Sequence, residues 1–233
     1  MQKKHIIFYK NQNIQILIKK NKLSRNYKLT FDRKNLYGLV SIPFYVTFKS
    51  GLEFAHENIE WLYDEYKKFL PIIFLKHNCS LLFRGKKTKV IFEKNKISRV
   101  LFKENEIIVQ SNNNNHKKLL NNWINEQILS QSKYYIDIIS HKLKQDIKTV
   151  KLSNSFNYWG SCNSSRTIHI NWRLIFAPAK VLEYIIIHEL CHLIEFNHTQ
   201  NFWELVKKLC PDYKKQIIWL KKNDNYLYRI RFN

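Results

Sequence analysis

Glycine is scarce in this chain of 233 residues, which contains only four. Loops that bind nucleotide phosphates need several closely spaced glycines, because glycine lets the backbone turn sharply and approach a phosphate. The four glycines, at positions 38, 51, 85 and 160, are too far apart to form G-x-G-x-x-G or G-x-x-x-x-G-K. The two commonest nucleotide-binding motifs are therefore excluded.

Cysteines are equally few, at positions 79, 162, 191 and 210, and no two of them form a C-x-x-C pair. This dispersal argues against a disulfide framework and a cysteine zinc ribbon, and it favours a protein of the reducing cytoplasm. Long hydrophobic runs are also missing, since the most apolar stretch, residues 181–196, is interrupted by three glutamates and two histidines. We therefore expect neither a signal peptide nor a membrane span.

Acidic residues are outnumbered, with 18 Asp and Glu against 40 Lys and Arg, which gives a net charge of +22. Residues 1–148 hold most of the excess, with 28 basic and 12 acidic side chains. One interpretation is a nucleic-acid contact through the basic N-terminal region. The other is codon usage in an A/T-rich genome, because 32 of the basic residues are Lys and 8 are Arg.

The hydrophobic pattern predicts the fold class α+β, in three regions. Residues 1–110 are a β-rich N-terminal region of antiparallel hairpins with one helix at 52–70, and Gly51 is expected to end the first set of strands. Residues 111–148 are a polar linker and a long amphipathic helix, and residues 149–233 form a mostly helical C-terminal region. No internal repeat of 20 to 50 residues is evident in the sequence.

The C-terminal region is predicted to contain one strand and three helices. The strand covers residues 167–175, and the first helix, residues 179–196, is apolar nearly all round, so it should be buried. Two shorter helices follow, at 202–209 and 213–222, and Asp212 is placed to cap the last one.

The buried helix carries the pattern H-E-x-x-H at His188, Glu189 and His192. Two histidines four residues apart project from the same helix face, so both imidazoles can bind one metal ion. Glu189 follows the first of them and is the candidate general base that accepts a proton from water.

A third histidine, His198, lies six residues after His192. Three imidazoles leave one coordination position open, which is typical of catalytic rather than structural zinc. For His198 to reach the metal the helix must end and the chain must turn back. Asn197 can provide that stop, because asparagine tolerates the left-handed conformation well.

Several short motifs make the sequence resemble the YgjP-like metal-dependent hydrolases, a zincin metallopeptidase family related to the SprT and WLM groups. The resemblance is clearest over residues 158–222 and rests on these segments: Trp159-Gly160-Ser161-Cys162, Asn171-Trp172-Arg173-Leu174, Ala177-Pro178, HELCH with Asn197-His198, Phe202-Trp203, Pro211-Asp212-Tyr213 and Trp219-Leu220. It implies a zincin-like C-terminal half in which His188, His192 and His198 bind Zn²⁺ and Glu189 activates water.

Three further residues have open roles. Asn171 and Arg173 lie on the strand before the metal helix, where they are candidates to bind substrate, and an ordinary salt bridge is the equal alternative for Arg173. Cys162 is either a thiol close to the metal or a packed loop residue.

The leading hypothesis is a cytoplasmic zinc hydrolase, specifically a metallopeptidase with Glu189 as general base. One alternative is a metal-dependent phosphohydrolase that acts on nucleotides. A second is a nucleic-acid-associated module in which catalysis is vestigial. The two enzyme hypotheses predict different metals. Three imidazoles suit zinc, whereas phosphate chemistry on magnesium needs oxygen ligands.

Overall fold

The computed structural model describes residues 1–232, which divide into two compact units, Met1–Ile72 and the chain from Ile73 onward. The fold class α+β is confirmed. The two units do not follow the three regions read from the sequence, because the second set of strands and the long helix share a unit with the C-terminal helices. The three-region division stays a prediction about the sequence.

The first unit is a four-stranded sheet followed by two helices. Its elements are β1 (Gln2–Tyr9), β2 (Gln12–Asn21), β3 (Lys28–Asp32), β4 (Tyr37–Pro43), α1 (Phe48–Glu57) and α2 (Ile59–Lys68). The strand order is β1-β2-β4-β3, with β2 and β4 parallel and the two outer pairs antiparallel. Every second residue of β2, namely Ile14, Ile16 and Ile18, is buried in a core to which both helices contribute, as the period of a strand requires.

The second unit begins with a two-residue strand and another four-stranded sheet. These strands are β5 (Ile73–Phe74), β6 (Ser80–Phe83), β7 (Lys86–Lys94), β8 (Arg99–Lys103) and β9 (Glu106–Ser111). The order β6-β7-β9-β8 again joins two hairpins through a parallel central pair. The two sheets therefore repeat one topology, which the sequence does not reveal because hairpins depend on alternation and turn residues rather than on residue identity.

Tight turns join the hairpins in both sheets. Residue pairs with positive φ occupy these turns, Lys10-Asn11 between β1 and β2, Arg84-Gly85 between β6 and β7, and Glu104-Asn105 between β8 and β9. Two successive positive φ angles are typical of the type I′ turn, whose twist matches that of the flanking strands.

The rest of the second unit carries the candidate site. Its elements are α3 (His116–Leu143), β10 (Thr149–Ser153), β11 (Gly160–Cys162), β12 (Thr167–Asn171), a 3₁₀ turn (Trp172–Phe176), α4 (Ala179–Cys191), α5 (Gln200–Leu209), α6 (Tyr213–Arg229) and β13 (Ile230–Arg231). The three-stranded sheet has the order β10-β12-β11, so β11 is at its edge, and α4 contacts β11, α3, α5 and α6. No helix among the described residues is long and apolar enough to cross a membrane.

Several sequence predictions differ from the structure in their boundaries, among them the helix predicted at 213–222, which extends to Arg229. Gly51 lies inside α1, where the side chains of Ile18 and Ile42 leave room for little more than a hydrogen. The predicted helix at 52–70 is two helices that meet at Asn58, whose side-chain amide donates to the carbonyl of Phe54. The predicted strand at 167–175 ends at Asn171, because the Asn171 side chain caps the 3₁₀ turn that follows.

The helix predicted at 179–196 ends early, at Cys191. The chain then makes a turn in which the backbone N–H groups of Ile194 and Glu195 both donate to the carbonyl of Cys191. Asn197 is absent from the residues with positive φ, so the prediction that it provides a left-handed stop is wrong. The prediction failed because a turn directly after Cys191 already redirects the chain.

Candidate metal centre

Helix α4 and the turn after it bring three histidine side chains together. His188 lies in the last turn of α4, His192 caps the end of the helix one turn later, and His198 returns to them through the turn that follows. One ligand atom from each of the three lies within 4.8 Å of the others, and the Nε2 atoms of His188 and His198 are 3.1 Å apart. Nitrogen atoms bound tetrahedrally at about 2.05 Å from zinc would be separated by about 3.3 Å. The three side chains therefore fit a shared metal ion.

Two of these histidines are held in the neutral form that binds metals. Burial, together with the neighbouring His192 and His198, lowers the pKa of His188 to about 4. Burial also lowers the pKa of His192. The ring Nδ1 of His192 lies 3.1 Å from the carbonyl of Glu195, so this nitrogen donates a proton there and leaves Nε2 for a metal.

Aromatic rings hold the imidazoles in place. The Nδ1 atom of His188 is buried without a hydrogen-bond partner in the described part of the chain, so ring packing orients this side chain. The fully buried ring of Phe202, on α5, lies 5.0, 4.6 and 4.8 Å from the rings of His188, His192 and His198. Trp203 stacks on His198, and Tyr184 meets His188 edge-on.

Glu189 points toward the edge strand β11 rather than into solvent. A Cβ atom on Gly160 would lie 2.7 Å from Cγ and 2.9 Å from Oε1 of Glu189, so the backbone of β11 passes directly over this side chain. Burial raises the pKa of Glu189 to about 7, although the backbone N–H of Cys162 donates to it and opposes the shift. The carboxyl group can therefore exchange a proton near neutral pH.

The site opens into a cavity of about 750 Å³. Its lining comes from β11 and the two residues before it, from α4 and its C-cap His192, from Trp203 on α5, and from α6. The lining residues are Tyr158, Trp159, Gly160, Ser161, Cys162, Tyr184, Ile185, His188, Glu189, His192, Trp203, Ile217, Leu220, Lys221 and Asp224. Most of this lining is apolar or aromatic, with the charged pair Lys221 and Asp224 on α6.

A family model for the YgjP-like metallopeptidase domain matches residues 25–223, most of the chain. This protein belongs to the YgjP-like metallopeptidase family. The predicted resemblance is confirmed, and membership makes the chain a metal-dependent hydrolase that uses a divalent metal.

Solved structures are more distant. One similar structure is the metallopeptidase zymogen of Methanocaldococcus jannaschii jannalysin, with 23% sequence identity, a TM-score of 0.31, and coverage of 38% of this chain and 94% of that chain. No curated protein matches the chain.

The two predicted substrate-binding residues of this YgjP-like chain are buried away from the cavity. The amide of Asn171 donates to the carbonyls of Ser155 and Tyr158, and its oxygen accepts from the backbone N–H of Arg173. The Arg173 side chain is 1% exposed, and its Nε donates to the carbonyl of Ile230. These contacts support the loop before β11 and the C-terminal strand. The role of both residues in substrate binding stays a prediction.

Cys162 lines the cavity but is not part of the histidine cluster. Burial raises the pKa of its thiol to about 11, with the nearby Glu189 adding to the shift. A neutral thiol is a poor metal ligand. The backbone of Cys162, through its contact with Glu189, therefore matters more to the site than its sulfur does.

Sequence reasoning gave no site role to several of the lining residues. Tyr184 precedes His188 by four residues on α4, a spacing that places both on one helix face and that could have identified it. The sequence marked Gly160 only weakly, as the one glycine after position 85. Lys221 and Asp224 reach the cavity only because α6 crosses it, and no local pattern marks them.

Proposed function

We propose that this protein is a zinc metallopeptidase in which His188, His192 and His198 hold the metal and Glu189 is the general base. The observation that supports it most is one cluster of side chains. Three imidazole nitrogens converge within 4.8 Å beside a buried carboxyl group whose pKa is near neutral. Metal-assisted hydrolysis needs these two components side by side.

Zinc is the metal proposed because the cluster offers nitrogen ligands. Three neutral imidazoles are the ligand set of a catalytic zinc site, whereas magnesium and calcium favour oxygen. When bound, zinc supplies a Lewis acid that polarises the scissile carbonyl and lowers the pKa of water to about 7.

Glu189 handles the proton in this proposal. The side chain is held from one side by the backbone of β11, where the N–H of Cys162 donates to it. The carboxylate accepts a proton from the attacking water and delivers it to the leaving nitrogen. A pKa near neutral suits both transfers, because the group can take up and release a proton at the same pH.

The cavity favours a peptide over a nucleotide. Strand β11 is at the edge of its sheet, where an extended peptide can pair with the backbone, and the walls provide aromatic and aliphatic contacts, as in other cases of strand addition. A nucleotide triphosphate would need several cationic groups, and Lys221 is the only lysine or arginine among the described residues that line the cavity. The dispersed cysteines support the cytoplasm as the proposed location.

The test combines substrate screening with a change at Glu189. The zinc-loaded protein is assayed side by side against casein-derived peptides and nucleoside triphosphates, as wild type and as Glu189→Gln. We expect peptide cleavage by the wild type. Turnover should fall by about 100-fold to 10,000-fold in the variant, the usual contribution of a positioned general base.

Zinc content is the control in this experiment, since Gln keeps the volume of Glu and removes no ligand. Elemental analysis should show equal zinc in both proteins. Cleavage of triphosphates but not peptides would replace the peptidase assignment by the phosphohydrolase. Full turnover in zinc-loaded Glu189→Gln would show that Glu189 is not the base, and no turnover of either class would favour vestigial catalysis.

A further inference from the structure

Within the first unit, α1 and α2 pack against one face of the sheet and leave the other face uncovered. The side chains of Ile14, Ile16 and Ile18 on β2 point into the core with α1 and α2. Because side chains alternate along a strand, the residues between them point the other way. Their neighbours in register define the opposite face, here called the open face: Lys4, Ile6 and Phe8 on β1, Gln15, Leu17 and Lys19 on β2, Tyr37, Leu39 and Ser41 on β4, and Lys28, Thr30 and Asp32 on β3.

Apolar and aromatic side chains occupy one part of the open face. Ile6 is 65% exposed and Phe8 is 70% exposed, and both lie on the outer strand β1. Leu17, Leu39 and Tyr37 are half-buried and belong to neither hydrophobic core. A cavity of about 980 Å³ runs along this face, with Lys4, Ile6, Leu17 and Tyr37 among its lining residues.

Lysines occupy the other part. Lys19 and Lys28 are both paired in register with Ser41, so they lie in one row across the sheet, two strands apart. Lys4 is opposite Leu17 in the next row. All three lysines are exposed. The one acidic residue of the face, Asp32, lies at its far end and accepts hydrogen bonds from the backbone of Lys34 and Asn35.

The basic charge is segregated within the first unit. Residues 1–31 contain eight Lys and Arg and no Asp or Glu, whereas residues 32–72 contain five basic and six acidic residues. The positive charge of the first unit therefore lies mainly in the segment that contains β1 and β2.

We propose that the open face binds single-stranded nucleic acid. Unpaired bases stack on Phe8 and Tyr37 and contact Ile6, while Lys4, Lys19 and Lys28 contact phosphates. Aromatic groups on a four-stranded sheet suit exposed bases, and a lysine-lined surface beside them suits the backbone. A protein partner fits less well, because lysine is depleted in protein interfaces. The proposal is independent of the metal site in the second unit.

The test measures binding of full-length protein to fluorescein-labelled dT₁₂ by fluorescence anisotropy between 50 and 200 mM NaCl. Each phosphate contact on a single strand contributes about 0.7 to the slope of log K against log salt. Three contacts should therefore weaken binding about 20-fold over this range. The triple variant Lys4→Glu/Lys19→Glu/Lys28→Glu should lose at least about tenfold at 50 mM and flatten the slope by about 2.

A second variant tests stacking without changing charge. Phe8→Ala removes a largely exposed ring, so folding should be unaffected, and affinity for dT₁₂ should fall at least about fivefold with an unchanged salt slope. The matched control for charge is Lys49→Glu/Lys67→Glu/Lys118→Glu, which makes the same change in net charge on helices. This control should bind dT₁₂ at least about fivefold more tightly than the open-face triple variant, and Glu189→Gln should bind like wild type.

Several outcomes would overturn the proposal. No binding at 50 mM NaCl with 20 μM protein would do so, as would a control triple variant that loses as much affinity as the open-face triple variant. A 12-base-pair duplex bound as tightly as dT₁₂ would show that unpaired bases are not recognised. Sedimentation that reveals a dimer broken by Phe8→Ala and unaffected by dT₁₂ would make the open face a contact between two copies of the chain.

Discussion

At the residue scale, the site depends on a carboxyl group that is kept out of water. Glu189 is 9% exposed, lies beneath the backbone of β11, and has its pKa raised to about 7 by burial. A carboxyl group in that environment ionises less readily than one in water, and its carboxylate form accepts a proton more readily. The position of this carboxyl group depends on Gly160, because a residue with a Cβ atom at position 160 would collide with the Glu189 side chain.

The first prediction concerns that space. In Gly160→Ala the new Cβ would lie 2.7 Å from Cγ of Glu189, so either the strand or the carboxyl group must move. We expect turnover to fall at least about tenfold, since a displacement near 1 Å at a catalytic group costs up to about 100-fold. Overpacking of this kind should also destabilise the fold by about 1 to 3 kcal/mol.

Gly38→Ala is the matched control for this substitution. It adds a Cβ to another strand glycine, 2.7 Å from the side chain of Leu62 in the first unit. Thermal melts would give the stability of both variants, and assays at a temperature where both are folded would give turnover per folded molecule. Equal turnover in the two variants would contradict the role assigned to Gly160.

The second prediction concerns pH and the metal-free protein. The pKa of Glu189 is about 7 in the fold and about 4.5 as a reference value, so the protonated form is favoured on folding. The free-energy cost to folding of ionised Glu189 is absent below about pH 4.5, grows as the pH rises toward 7, and is constant above about pH 8. The stability of wild type relative to Glu189→Gln should fall by about 3 kcal/mol across this range.

Urea unfolding of both proteins in the presence of a chelator, from pH 5 to 8.5, would measure that difference. Subtraction removes the opposite contribution of His188, whose lowered pKa costs stability in acid in both proteins. A difference in the free energy of unfolding that does not vary with pH would mean that Glu189 ionises freely in the fold.

At the element scale, the metal centre is built from α4, the turn that follows it, and α5. Helix α4 supplies His188, its C-cap residue is His192, and the turn that follows returns His198 to them. Thr199 then starts α5, because its side-chain oxygen accepts from the backbone N–H of Phe202. This cap fixes the first turn of α5 and with it the ring of Phe202 among the three imidazoles.

The third prediction tests this packing with Phe202→Leu. Leucine keeps an apolar core residue but removes the flat surface against the imidazoles. We expect zinc affinity to fall by about 10-fold to 100-fold, as when the groups that orient metal ligands are changed. Competition with a chromophoric chelator would measure the affinity.

Val206→Ala is the control, because Val206 is buried one turn later on the same helix and has no ring contact with the histidines. It should destabilise the fold without a comparable loss of zinc affinity. Equal losses in the two variants would mean that α5 acts through general stability rather than through the orientation of the ligands.

At the scale of the whole molecule, the two units have separate hydrophobic cores. One core draws only on residues of the first unit, and the other, which contains α4 and α5, draws only on residues of the second. The three lysines of the open face belong to the first unit. The candidate metal centre and the proposed nucleic-acid-binding face therefore lie in different units.

The fourth prediction follows from this separation. Zinc at 100 times its dissociation constant should stabilise the structure that holds it by about 2.7 kcal/mol. Hydrogen exchange followed by mass spectrometry should therefore slow in α4 and α5 and remain unchanged in β1–β4. His188→Ala and His192→Ala should abolish the effect and His198→Ala should weaken it, whereas His169→Ala, outside the cluster, should retain it. Protection spread evenly over both units would refute the separation.

Much of the fold and of the candidate site was predictable from local sequence patterns. The period of two in β1–β4 and β6–β9, the long helix α3, and the apolar α4 all follow from residues close together in the chain. The spacing of His188, Glu189, His192 and His198 placed a metal cluster in one segment of the chain for the same reason, and the structure brings the three histidines together there.

Tertiary structure alone decided the rest, because it depends on residues far apart in sequence. The contact of Gly160 with Glu189, the approach of Lys221 and Asp224 to the cavity, and the burial of Asn171 and Arg173 are all long-range. So is the parallel pairing of β2 with β4. A sequence specifies alternation and helical period locally, but which faces meet is set by burial of the whole chain.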